Sequence, residues 1–195
     1  MIEIKPLSKP TLTAAIDLAD KVFQYQIWSE KASWVFQLSL MHGYFPKLLL
    51  ALLGISWCRY WVAVNSQADV LGITGLYTRS GNSETYWLGW TCVNPEARGQ
   101  GIGAKLVDFA ISQAKNSPAN YLKLYTSDLP DYVIARQLYE RRGFELVQEV
   151  LEKHKQTTFN ILSKVLNVKR NPIKTAQNML NFGRKIKVYL FDSDD

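Results

Sequence analysis

Apolar and polar positions change their period several times along the chain. Residues 2–5 alternate, which predicts a short strand, and Pro10-Thr11-Leu12-Thr13 offers capping hydroxyls for a helix over Ala14–Gln24. Residues 31–57 are dominated by apolar positions and predict one or two helices, broken near Gly43-Tyr44-Phe45-Pro46 because proline disfavours helix in the residue before it. The run from Leu48 to Trp57, bounded by Lys47 and Arg59, is well below the ~18–20 residues that cross a bilayer and reads as a buried helix. The period then shortens. Tyr60–Val64, Val70–Thr78 and Glu84–Val93 are rich in β-branched and aromatic residues, and Asn65–Asp69 and Ser80–Ser83 between them suit hairpin turns, which predicts three antiparallel strands. Past a glycine-rich stretch, Leu106, Val107, Ala110, Ile111 and Ala114 form one apolar stripe of a helix from Ala104 to about Lys115. Tyr121–Tyr125 reads as a buried strand, Pro130–Arg141 as an amphipathic helix ended by Gly143, and Phe144–Leu151 as a strand. Residues 156–182 read as a helical insertion interrupted at Asn171-Pro172, and Ile186–Phe191 as a last strand. The whole predicts an α/β (α+β) fold, a mixed sheet with helices packed on it.

Composition narrows the class. A chain of 195 residues with 47% apolar and 21% charged residues is the ordinary globular mixture, which excludes wholesale disorder and predicts a single domain over 1–195. Two cysteines, Cys58 and Cys92, make no disulfide framework, and two histidines, His42 and His154, make no ligand cluster at zinc spacing. The amino terminus lacks the positive start and apolar run of a signal peptide, so the expectation is a reduced, metal-free, cytoplasmic protein with no membrane span.

Charge adds one asymmetry. Residues 153–187 hold nine of the 23 lysines and arginines and no acid, against 14 basic and 17 acidic residues elsewhere, a balance of −3 for the remainder. A one-signed patch raises the local concentration of anionic partners, or else serves as a solvated face.

The chemistry concentrates between Val93 and Lys105. In Arg98-Gly99-Gln100-Gly101-Ile102-Gly103-Ala104, successive backbone N–H groups open a helix and the missing Cβ atoms let an anion approach the main chain. The helix dipole contributes roughly half a positive charge and Arg98 a full one, which favours a pyrophosphate over a single carboxylate. A Walker loop is excluded, because Gly103 is followed by Ala104-Lys105 with no hydroxyl for magnesium. A dinucleotide fingerprint is met in form by Gly99, Gly101 and Ala104, but five residues separate it from an antiparallel strand.

Val93-x-Pro95-x-x-Arg98-Gly99-x-Gly101-Ile102-Gly103, with a strand before and a helix after, resembles the acetyl-CoA loop of the GNAT superfamily of N-acetyltransferases. A second stretch, Ala135-x-x-Leu138-Tyr139-Glu140-x-x-Gly143-Phe144, resembles the family's later helix and following strand. The resemblance implies a mostly antiparallel sheet with a central V-shaped splay, helices on both faces and helical insertions at about 25–57 and 153–184. It implies acetyl-CoA as cosubstrate, with the pantetheine arm on the main chain of Cys92 and Val93. The pyrophosphate would lie on Gly99, Gln100, Gly101, Ile102, Gly103 and Ala104, assisted by Arg98.

The same resemblance implies that Tyr139, beside the cofactor sulfur, protonates the departing thiolate and that the Val93 N–H stabilises the oxyanion. The family's usual glutamate, four residues ahead of Val93, is here Gly89, and its common asparagine is Tyr132. Glu84 and Asp128 remain as candidate bases, beside a water chain. Tyr25, Trp28, Trp34, Tyr77, Trp87 and Trp90 are candidates either for gripping an acceptor or for core.

The expectation is therefore an acetyl-CoA-dependent N-acetyltransferase acting on a primary amine of a small molecule or protein. The alternatives are an idle acetyl-CoA-binding module or an anionic-surface binder using 153–187. Nucleic acid is disfavoured because no base-reading motif appears, and a second copy of the chain is a candidate partner.

Overall fold

The computed structural model describes residues 1–23, 31–152 and 157–166. Its elements are β1 (Glu3–Pro6), α1 (Lys9–Val22), α2 (Ala32–Leu40), α3 (Tyr44–Leu52), β2 (Ile55–Val64), β3 (Val70–Arg79), β4 (Asn82–Val93), α4 (Ile102–Lys115), β5 (Tyr121–Ser127), α5 (Val133–Glu140), β6 (Glu145–Glu152) and β7 (Thr157–Val165). The seven strands form one sheet in the order β1-β2-β3-β4-β5-β7-β6. Every pairing is antiparallel except β4 with β5, which is parallel.

The sheet divides two apolar layers. On one face α1 and α2 bring Leu18, Ala19 and Phe36 against Tyr60, Val62 and Ile73. On the other, Val107, Ala110 and Ala114 of α4 and Tyr139 of α5 cover Leu76, Leu88, Leu122 and Leu124. This follows from period: the strands alternate sides while the helices carry one apolar stripe each.

Several expectations change. Helix α1 begins at Lys9, not Ala14, because Thr11 Oγ1 accepts from the Ser8 N–H at 3.1 Å and Pro10 needs no donor in a first turn. The Leu48–Trp57 run is not one buried helix. Helix α3 stops at Leu52, Gly54 turns the chain with φ +70°, and Ile55 already starts β2. Only Pro46 and Leu50 of α3 are buried, while Tyr44, Phe45, Leu48 and Leu52 are exposed.

The helical insertion at 153–184 is corrected over 157–165. That stretch is β7, seated between β5 and β6, with Ile161 and Leu162 in the core. The expected appendage thus contributes an interior strand. The remaining parts of that segment, the strand expected at Ile186–Phe191, and Tyr25 and Trp28 lie outside the described residues.

Candidate active site

Strands β4 and β5 are paired only over Thr85–Leu88 and Tyr121–Leu124, yet β4 runs on to Val93 and β5 to Ser127. Beyond Leu88 the two diverge and leave an open cleft between parallel strands. A bulge sits at this point: Ile73 to Gly75 on β3 faces Cys92 to Gly89 on β4, one residue more on β4 than on β3. Trp90, inside the bulge, adopts φ +49°, a costly conformation for a bulky residue. Its ring is clasped by Phe23 at 5.2 Å and Phe36 at 6.2 Å, both edge to face, which holds the strand in that shape.

The bulge sets which main-chain groups face the cleft. Asn94 N–H donates to the Leu71 carbonyl at 2.8 Å and Cys92 pairs with Ile73, so both turn toward β3. Alternation then turns the Val93 N–H and carbonyl the other way, into the cleft. The Cys92 side chain is buried beside the bulge, and burial pushes its thiol up to about 12, with Arg98 acting weakly the other way. It is a neutral packing group at physiological pH.

Residues 98–104 form the joint from β4 to α4. Pro95–Ala97 make one tight turn capped by the Asn94 side chain, and Gly99 and Gly101 follow with φ +77° and +74°. These left-handed positions explain the glycines. The first bond of α4 runs from Lys105 N–H to Gly101 O at 3.1 Å, so the N–H groups of Gly101, Ile102, Gly103 and Ala104 have no intrahelical acceptor. A Cβ placed on Gly99 or Gly101 would meet no heavy atom within 4 Å, so the room above the loop is open. Gly103 faces the neighbouring elements: a Cβ there would make ordinary contact with Val93 at 3.6 Å and Leu138 at 3.8 Å.

Through Leu138, α5 joins this corner. Tyr139, one residue on, is buried, with its ring edge to face against Phe144 at 5.9 Å. Burial foremost, then Cys92 and Tyr132 nearby, push its phenol up to about 12. Tyr139 is therefore a proton donor throughout the ordinary pH range and never a resting anion. Arg142 grips Asp108 of α4 through Nε at 2.6 Å and Nη2 at 2.9 Å, which ties the end of α5 to α4.

The candidate bases separate. Glu84 is exposed at the start of β4, with the paired residues Thr85–Leu88 between it and the cleft. Asp128 is exposed directly after β5, at the mouth of the cleft. At Gly89 a side chain would crowd the Tyr77 ring, which lies 3.1 Å from its Cβ position and would have to shift to admit one. Of the candidate aromatics, Tyr77 and Trp87 stack at 6.3 Å, Trp90 belongs to the bulge, and Trp34 is half exposed. Among the described residues no group of three or more His, Cys, Asp or Glu is placed to hold a metal, and no helix is long and apolar enough to cross a membrane.

The sequence reading missed the bulge, and Gly89 inside a strand pattern was the available signal for it. It also missed Arg79, whose guanidinium lies 4.9 Å from the Trp87 ring and 5.4 Å from Tyr125.

Residues 56–146 match the family model described as "Acetyltransferase (GNAT) domain". No curated protein matches the chain. Among solved structures, a GNAT-family protein from Desulfovibrio desulfuricans superposes with a TM-score of 0.66 at 17% identity, covering 86% of this chain and 100% of its own. A Salmonella typhimurium protein, solved with its cofactor acetyl-CoA, gives 0.65 at 16% identity over 88% and 97% of the two chains. The ribosomal-protein-S18-alanine N-acetyltransferase from Escherichia coli gives 0.62 at 15% identity over 88% and 97%. At these identities the likeness is one of fold.

Proposed function

Because the chain carries a GNAT acetyltransferase domain, an enzyme domain of the acyltransferase class, we propose that it moves the acetyl group of acetyl-CoA to a primary amine. The observation that carries this reading is the cleft: parallel strands that part beyond Leu88 and Leu124, with the glycine loop and Tyr139 gathered at the same corner. The open room over Gly99 and Gly101 fits a phosphate on the amides of 99–104, with the exposed Arg98 beside it.

In this reading Val93 presents its N–H to the carbonyl oxygen of the thioester, where negative charge develops as the amine attacks. The pantetheine amides pair with the open edge of β4, while Cys92, committed to β3, contributes packing from its side chain. The C–S bond breaks, the C–N bond forms, the thiolate takes a proton from the Tyr139 phenol, and the amine releases one to solvent, from which Tyr139 is restored. Gly89 carries no carboxylate, so proton removal falls to water or to Asp128 at the cleft mouth.

We read residues 1–195 as one domain and its acceptor as a small molecule or a protein. Thiol release from acetyl-CoA across a panel of amines and peptides, with mass spectrometry of the products, tests the assignment. Release dependent on an amine, with one acetyl group gained per thiol, is the expected result. An enzyme that binds acetyl-CoA and releases thiol with none of them would favour the idle binding module.

A further inference from the structure

On the α1 side of the sheet, register places Cys58, Tyr77, Trp87, Lys123, Ser163 and Glu145 in one row across β2, β3, β4, β5, β7 and β6. Directly opposed residues point to the same face, so the middle of this row presents an indole N–H, an ammonium and a hydroxyl side by side. Trp87 is fully buried and Ser163 is 5% exposed, yet Trp87 Nε1 and Ser163 Oγ have no hydrogen-bond partner. Buried donors left without acceptors are costly, of order 1–3 kcal/mol each, and rare without a reason.

The surroundings carry positive charge. Lys123 is buried with its ammonium 6.0 Å from the Trp87 ring, and the Arg79 guanidinium lies on the Trp87 and Tyr125 rings. The carboxylate of the row, Glu145, is exposed on the edge strand β6. The row also adjoins the cleft: Trp87 lies one residue before the strands part and Tyr125 one residue after.

We propose that the acceptor is an amine that also bears an anionic group, and that Trp87, Lys123 and Ser163, with Arg79 beside them, hold that anion. This rests on the transferase reading above for the place of the acetyl group, but the anion site stands on the row alone. Oxygen lone pairs would satisfy the two orphan donors, and Lys123, between them in the row, would add a charge-assisted donor. The same cations disfavour an ammonium in the cleft, which helps supply the neutral amine where Gly89 provides no carboxylate.

The test uses matched acceptors, phenylalanine and glutamate against their α-carboxamides and decarboxylated amines, read by thiol release and by calorimetric binding to the protein saturated with CoA. The acids should exceed the uncharged analogues about 10- to 100-fold in kcat/KM and in affinity. Ser163→Ala should cut that preference about tenfold without lowering the melting temperature, since the hydroxyl has no partner to lose. Trp87→Phe should act in the same direction. Thiol release with amides and polyamines at rates equal to the acids, or a preference unmoved in both variants, overturns the proposal and leaves the transferase reading intact. Preferential binding of acids without thiol release from any acceptor would uphold the anion site and sink the transferase reading instead.

Discussion

The two ends of the cleft are built on different principles. At the glycine loop the ligand would be met by main chain: N–H groups of Gly101, Ile102, Gly103 and Ala104, with room kept by residues that have no Cβ. On the α1 side it would be met by side chains from four strands, Arg79, Trp87, Lys123 and Ser163, brought together by register. A backbone site is encoded by a local run of small residues and a helix start. A side-chain site is encoded only through the sheet, and its members lie up to 84 positions apart between Arg79 and Ser163. The first kind suits a cosubstrate that is always the same, the second an acceptor that differs from one protein to another.

Blocking the backbone site should have the largest effect. Gly101→Val places a branched side chain where phosphate would lie, and cofactor affinity should fall by more than about 100-fold, read by calorimetry with acetyl-CoA. Because Gly101 has φ +74° and valine strains there, Gly101→Asn is the cleaner variant, as asparagine tolerates that region. Undiminished affinity in folded Gly101→Asn would remove the phosphate from this loop.

Tyr139→Phe comes next and separates chemistry from binding. Turnover should fall about 10- to 1000-fold with cofactor affinity nearly unchanged, in line with the loss of a general acid. With the phenol raised to about 12, loss of this acid should not depress kcat on the alkaline side before about pH 11. Stability carries the same signature. The folded protein holds protons on Tyr139, Cys58 and Cys92 to about 12, whereas the unfolded chain releases them from 9.0 for thiols and 10.0 for tyrosine. That stabilisation is complete below pH 9 and is lost as pH rises toward 12, which denaturant titrations at pH 8 and 11 would measure. A midpoint that holds constant over that interval would contradict the burial of all three groups.

The same contrast explains what could be read without a structure. The loop and the helix after it were legible because each is a local pattern of a few consecutive residues, whereas Tyr139 was singled out only through the family resemblance of the stretch around it. Strand β7 was not: Phe159, Leu162, Val165 and Leu166 satisfy helical spacing, and a strand buried between two neighbours loses the clean alternation that would have distinguished it. The anion row was illegible for a further reason. Trp87 and Ser163 come to flank Lys123 only once β7 inserts beside β5, an arrangement set by tertiary pairing. Even the exposed aromatic face of α3 reads as core in sequence, since an apolar residue carries no sign of which side it faces.

A smaller effect probes the absent carboxylate. Gly89→Glu restores the acid at the position where relatives by resemblance carry it, yet its Cβ would lie 3.1 Å from the Tyr77 ring. Overpacking of this kind costs about 1–3 kcal/mol, so the variant should melt several degrees lower and gain no turnover. Gly89→Glu combined with Tyr77→Ala removes the obstruction and sharpens the question. A rate gain in the double variant alone would mean that Tyr77 displaced a base from this strand, and no gain in either would mean that the cleft deprotonates its amine without one.

The smallest effect is expected where α5 is tied to α4. Asp108→Asn removes the charge from a bidentate pair with Arg142 in which Asp108 is 58% exposed and Arg142 19%. Screening by water limits such a pair to about 0.5–1 kcal/mol, a shift of a few degrees in melting temperature. Tyr139 lies three residues before Arg142 and is fixed mainly by Phe144 and the surrounding core, so kcat should fall less than about threefold and KM for acetyl-CoA should not move. A loss of kcat approaching that of Tyr139→Phe, with no comparable loss of stability, would instead make the ion pair the element that positions the phenol, and would transfer part of the backbone site's precision to a side-chain contact on the surface.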